Sequence, residues 1–310
     1  MADSSTFYGK NMRYSKPAFT IPDQIKKLEK RGMVFKDKTI AEEFLCFNSY
    51  YRFSGYTYIF QDRSKPAHLF KPSVDFEEVF NLYSFDNELR LLLLTEIRKI
   101  EIAFRTVIMN EYAQNYNSHW HLDFELFKDY PHHIMFLNKL INSIDPKRED
   151  FLKHYQKKYT SPQIPASWMC FEIMSMGQLS SLYKNLNDTK KGKIDIAKTF
   201  GLNKSILFSS WIHGISIVRN ICAHHGRLWN KSIPVNFINL NEMKNQFIMI
   251  IPANQNKIYV PICCIQYLLN IIEPQNDFKI KLKNLLLKYP SIDLDAMGFP
   301  NGWDKEMFWQ

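Results

Sequence analysis

Between Trp211 and Lys231 the chain reads WIHGISIVRNICAHHGRLWNK, an apolar segment at helical spacing that ends in Arg219, Asn220, His224, His225 and Arg227. An imidazole exchanges a proton near neutral pH and, as general base or acid, contributes about 10² to 10⁴ in rate. A guanidinium stays charged and offers paired donors matched to phosphate oxygens. His224 therefore suits acid–base work, Arg219 the stabilisation of a developing negative charge, and Asn220 the orientation of either. His225 is the adjacent imidazole and ranks below His224. Arg227 and Trp229 have the chemistry to contact a phosphate backbone or stack on a base, although a core position is the commoner use of a residue like Trp229.

Nothing in the chain supplies a metal or nucleotide motif: HExxH, Walker-type glycine loops and G-x-S-x-G are absent. The pairs His119/His121 and His132/His133 lack acidic or cysteine partners at ligand spacing. Neither metal nor cofactor is expected.

These residues must be positioned by the helix that carries them. The spacing predicts a helix over Lys204–His225, with Asn203 or Ser205 at its start and Gly226 at its end. On an ideal helix Arg219 and His224 lie about 140° apart, whereas Asn220 and His224 share a face. Polar residues at a helix C-terminus also have a purely structural use, since cations complement the dipole there. From the residues alone, packing and site stand level.

The strongest helical pattern runs from Ser73 to about Tyr116, with Phe76, Val79, Phe80, Tyr83, Leu93, Ile97, Ile100, Phe104 and Val107 three or four apart. Within it Glu101 and Arg105 form an i,i+4 pair, ordinarily a solvated face, yet Glu101 sits between Ile100 and Ile102 and can face the motif helix. Thr20, Pro22 and Gly32 frame an early helix. Ile40, Phe44, Leu45 and Phe47 share a face before an aromatic block, NSYYRFSGYTYIF, whose regularity is doubtful from pattern alone. Tyr51 and Arg52 there interleave aromatic and basic character, as RNA-stacking surfaces do and as core edges do more commonly.

Further helices are predicted at His132–Ser143, Lys147–Tyr159, Ser167–Leu186, Asp188–Phe200, Ile262–Ile272 and Asp277–Lys288. FIMII and KIYV flanking PANQN read as a small hairpin or a loop, and the aromatic tail DLDAMGFPNGWDKEMFW as a segment packing back on the body. The fold class is mainly α. The best boundary candidate, DRSKPAHLFKP at 62–72, separates a helical and aromatic segment (1–72) from the rest (73–310), the two expected to form one compact unit.

With 310 residues, 45% hydrophobic, the chain can bury a sizeable core. Its formal charge of +9 favours polyanionic partners. Five cysteines without C-x-x-C pairing, an N-terminus without an apolar signal core and no evident bilayer-length apolar run imply a cytoplasmic protein with no membrane span.

Several stretches carry a resemblance: KPAFTIPDQIKKLEKRGM (16–33), FNSYYRFSGYTYIF (47–60), FDNELRLLLLTEIRKIEIAFR (85–105), PASWMCFEIMSMGQLSSLYKNL (165–186), RNICAHHGRLWN (219–230) and MGFPNGW (297–303). In this order they resemble the Abi-like family of AbiD/AbiF type, and R-N-I-C-A-H at 219–224 is similar to the R-x-x-x-x-H signature of HEPN ribonucleases. The resemblance implies a HEPN-like helical bundle, a phage-defence or toxin-like role, and a homodimer that brings two motif helices together. It also implies metal-independent RNA cleavage by the ribose 2′-OH, with restraint by a cognate RNA or a neutralising antitoxin. A non-catalytic RNA-binding protein on the same scaffold is the rival, and a helical interaction protein with a satisfied polar core a third reading.

Overall fold

The computed structural model describes residues 17–64, 68–235, 237 and 247–310. The polar N-terminal start, residues 65–67 of the boundary segment and Asn245–Gln246 before FIMII lie outside the described residues. Twelve α-helices account for most of what is described: α1 (Ile21–Lys30), α2 (Lys38–Phe47), α3 (Tyr50–Thr57), α4 (Phe76–Asn115), α5 (Tyr130–Ser143), α6 (Asp150–Lys158), α7 (Ser167–Glu172), α8 (Met176–Asn185), α9 (Lys193–Thr199), α10 (Ser205–Ala223), α11 (Tyr259–Ile272) and α12 (Phe278–Lys288). The mainly α class holds. Among the described residues β-pairing is confined to isolated bridges such as Phe127 with Leu186.

By its internal contacts the chain divides into two compact units, one ending at Ser84 and the other beginning at Phe85, a division that falls within α4. In the first unit Thr20 caps α1 and Gly32, at φ +94°, ends it, as its sequence implies. The aromatic block is regular after all. Ser49 caps α3 by accepting from the Arg52 amide at 3.2 Å, and Phe53 packs edge-on against Phe44. Tyr83 donates to the Asn48 side chain at 2.8 Å.

The second unit is organised around α10, which packs against α8, α9 and α11. Leu207, Phe208, Trp211, Ile212, Ile215 and Val218 are buried along it. Phe104 of α4 meets Tyr183 of α8 and Phe208 of α10 edge to face, with ring centroids 5.7 and 5.5 Å apart. A β-carbon on Gly214 would lie 2.4 Å from the Phe237 ring, so this turn of α10 requires glycine. By length and composition α10 could cross a membrane, yet half of that stretch is buried inside the protein, as expected of a core helix.

Several boundaries differ from the sequence expectation for local reasons. The 167–186 segment is two helices, because Ser175 and Gln178 form a reciprocal capping box that starts α8 anew. The helix expected from Asp188 begins at Lys193: Asn187 accepts from the Thr189 amide at 3.1 Å in an Asx turn, and Gly192 takes φ +109°. At the start of α10 neither Asn203 nor Ser205 caps; Lys204 holds the cap position without a side-chain acceptor. The hairpin is absent. The Met249 and Ile250 amides, which a partner strand would need, donate instead to the buried Glu306 carboxylate at 2.8 and 2.9 Å, and Tyr259–Val260 open α11.

Candidate functional site

Helix α10 ends one residue before His224, and the way it ends defines the site. His224 is the C-cap; the His225 amide donates to the Cys222 carbonyl at 3.1 Å and the Gly226 amide to the Ile221 carbonyl at 2.8 Å. This is a Schellman closure with His225, not Gly226, in the left-handed position at φ +56°. A left-handed non-glycine residue costs roughly 1–2 kcal/mol. Both His224 and His225 are exposed.

The chain beyond the closure is clamped from α4. The Asp86 carboxylate, fully buried, accepts the Leu228 amide at 3.0 Å and the Trp229 amide at 2.6 Å, and pairs with the guanidinium of Arg90, one turn on. Arg90 also donates to the Asn87 side chain at 3.0 Å. Sequence reasoning left these two residues without a role, although the signal was present: Asp86 and Arg90 stand beside Phe85, Leu89 and Leu93 on the core stripe of α4, where an unpaired charge is not tolerated.

Arg219 turns to a different side of α10. Its Nε lies 3.5 Å from Glu101 Oε2, while Glu101 Oε1 accepts from Arg105 Nη2 at 3.4 Å. Arg105 in turn donates to the Met174 carbonyl at 2.9 Å. Glu101 thus faces the motif helix instead of solvent, with its side chain 12% exposed. Arg219 is paired with Glu101, with no hydrogen bond or ion pair to His224, and Asn220 opens into a cleft beside α8.

The other sequence candidates separate. Trp229 is 2% exposed and donates through Nε1 to the Asp293 carbonyl at 3.2 Å, so its indole is a core group and not a stacking platform. Arg227 is half-buried. Tyr51, 88% exposed, and Arg52, half-buried, lie in the first unit. Cys222, inside the motif, is buried, and burial pushes its thiol up to about 12, which disfavours the reactive thiolate. Among the described residues no group of three or more His, Cys, Asp or Glu side chains is arranged to hold a metal ion.

Residues 43–230, well over half of the chain, match the model of a family described as Abi-like protein. The chain belongs to the Abi-like family. The match takes in the Asp86 clamp, the Glu101–Arg219 pair and the whole α10 closure of this Abi-like protein. No curated protein and no solved structure matches it.

Proposed function

We propose that this Abi-like protein is a phage-defence ribonuclease that cleaves RNA without a metal, using the end of α10. The observation that supports this reading is the exposed imidazole of His224 at the C-cap, one residue past a helix whose Arg219 is anchored by Glu101. In the proposed reaction His224 takes the proton of a ribose 2′-OH, whose oxygen attacks the adjacent phosphorus. The bond to the 5′-oxygen breaks, and that oxygen leaves with a proton from a second acid, for which His225 or the His224 of a second copy is the candidate. Arg219 stabilises the extra negative charge on the phosphorane. Because Arg219 and His224 diverge by about 140° around α10, the reading pairs Arg219 of one protomer with His224 of another in a homodimer.

The test is cleavage of labelled RNA in EDTA, with a 2′-deoxy-substituted copy as control. His224→Ala is expected to lower kcat by about 10² to 10⁴, and Arg219→Ala by about 10² to 10³, with no cleavage of the 2′-deoxy RNA. Tight binding with no cleavage by the wild-type chain would replace this reading with a non-catalytic RNA-binding protein.

A further inference from the structure

Beside α10 lies a cleft of about 470 Å³, formed with α8 and the start of α5. His213, Ile217 and Asn220 form its α10 wall. At 100° per residue these three and His224 fall within an arc of about 60° on one face of the helix. His224 is one turn, about 6 Å, further along the axis, and helical side chains lean back toward the N-terminus. His224 is not part of the cleft wall, but it stands on the same helix face one turn beyond Asn220, the last α10 residue that lines it.

The α8 wall carries Gly177, Ser180, Ser181 and Lys184 at i, i+3, i+4 and i+7. Gly177, Ser180 and Ser181 are small residues that leave space, and Lys184 lines the cleft with them. The third wall is stitched rigidly to α8: Asn185 Nδ2 donates to the Asp129 carbonyl at 2.9 Å, and Asn185 Oδ1 accepts the Asp129 amide at 3.0 Å. The Lys128 amide adds a bond to the Asn185 carbonyl at 2.9 Å.

Lys128, Lys184, His132 and His213 line the cleft against one carboxylate, Asp129. Asp129 is already engaged, accepting the His132 amide at 2.9 Å and lying 3.2 Å from His132 Nδ1. Lys128 pairs with Asp188 at 3.1 Å. Among the described residues no carboxylate pairs with Lys184. Its ammonium adds to burial in lowering the proton affinity of His213. A preformed cleft with surplus positive charge, serine hydroxyls and an amide suits an anion that also carries hydroxyl and ring groups, and its volume falls in the roughly 300–1,000 Å³ range of small-ligand sites.

We propose that this cleft is a nucleotide subsite, holding the RNA nucleotide next to the bond attacked at His224. Its phosphate lies toward Lys184 and its sugar and base edge against Ser180, Ser181 and Asn220. The assignment rests on the nuclease reading of the α10 end, but its test does not. The full-length protein is titrated with adenosine 3′-monophosphate and, separately, inorganic phosphate, followed by NMR or calorimetry. Lys184→Ala and Ser181→Trp, the latter filling the cleft from an exposed helical position, are compared with the wild type, and each variant's melting is checked.

Nucleotide binding is expected to weaken about tenfold in Lys184→Ala, the loss of one charge-assisted contact, and to vanish in Ser181→Trp, with RNA cleavage showing a raised KM and little change in kcat. Wild-type RNA cleavage with neither KM nor nucleotide affinity altered in both folded variants would overturn the subsite and leave the nuclease standing. Absence of cleavage, with nucleotide binding weakened in Lys184→Ala and lost in Ser181→Trp, would uphold nucleotide binding in the cleft and sink the nuclease. Phosphate alone binding as tightly as the nucleotide would also overturn the assignment, reducing the cleft to an anion pocket.

Discussion

Replacing Asp86 by alanine removes, in one step, the acceptor of two buried amides and the counter-charge of a buried guanidinium. The Leu228 and Trp229 amides sit 3.0 and 2.6 Å from Asp86 Oδ1, and the Arg90 side chain is only 4% exposed. Stranding one partner of a buried ion pair costs about 3–5 kcal/mol, and an unsatisfied buried amide about 1–3 kcal/mol. Arg90 keeps its bond to Asn87, and the terms share one site, so they do not simply add. A loss of about 4–6 kcal/mol is expected for Asp86→Ala, against a total stability of roughly 5–15 kcal/mol for a domain. Asp86→Asn keeps an acceptor oxygen and loses the charge, so about half that loss is expected. Urea denaturation of the wild type and both variants measures the global cost, and hydrogen exchange at the Leu228 and Trp229 amides the local one. In Asp86→Asn those two amides should exchange faster than their neighbours in α10, and under the proposed nuclease reading RNA cleavage should fall alongside because the chain behind His224 and His225 is released. An Asp86→Ala variant within about 1 kcal/mol of the wild type, or one whose extra exchange spares residues 228 and 229, would refute the clamp.

Two further outcomes follow from charges at and near the site. Glu101→Gln keeps the side-chain shape but removes the charge facing Arg219 and Arg105; partial exposure of Arg219 limits the stability cost to about 1–2 kcal/mol. Under the proposed nuclease reading its cleavage rate should drop about tenfold through misplacement of Arg219, and steady-state kinetics showing an unchanged kcat would remove Glu101 from the positioning role. His121 is fully buried with neither ring nitrogen hydrogen-bonded, and burial holds its pKa down at about 3 against 6.5. Above pH 6.5 folded and unfolded states both hold it neutral, so it contributes no pH dependence there. As pH falls below 6.5 the unfolded chain takes up a proton that the folded chain refuses, and stability is lost down to about pH 3, about 2 kcal/mol of it by pH 5. His133 is shifted in the same direction, also by burial. Comparing urea midpoints at pH 7.5 and 5 in the wild type and His121→Leu should show a smaller acid loss in the variant, and equal losses would contradict a neutral buried imidazole.

The helical class and most helices were legible because each depends on local pattern: the apolar stripe of α4, the Thr20 cap and the Gly32 stop act over one or two turns. The choice between hairpin and loop around PANQN was not legible for the opposite reason, since the group that takes the Met249 and Ile250 amides and leaves a loop there is Glu306, more than fifty residues away. The break between α7 and α8 was readable and passed over; Ser175 and Gln178 have capping-box spacing, but the apolar run across them masks it.

At the site, the sequence by itself determined which groups are present and, to within a few residues, where α10 ends, because side-chain chemistry and helix spacing are properties of neighbours in the chain. It also set Arg219 and His224 on different faces, since the helical repeat admits no other result. Only the tertiary structure decided that Glu101 faces Arg219, that Trp229 is core, that Asp86 reaches across some 140 residues to hold the motif's trailing strand of chain, and that Asn220 borders a cleft. Each of these depends on which buried charges and amides find partners when helices distant in sequence pack together, and desolvation makes that pairing obligatory without any local pattern to announce it.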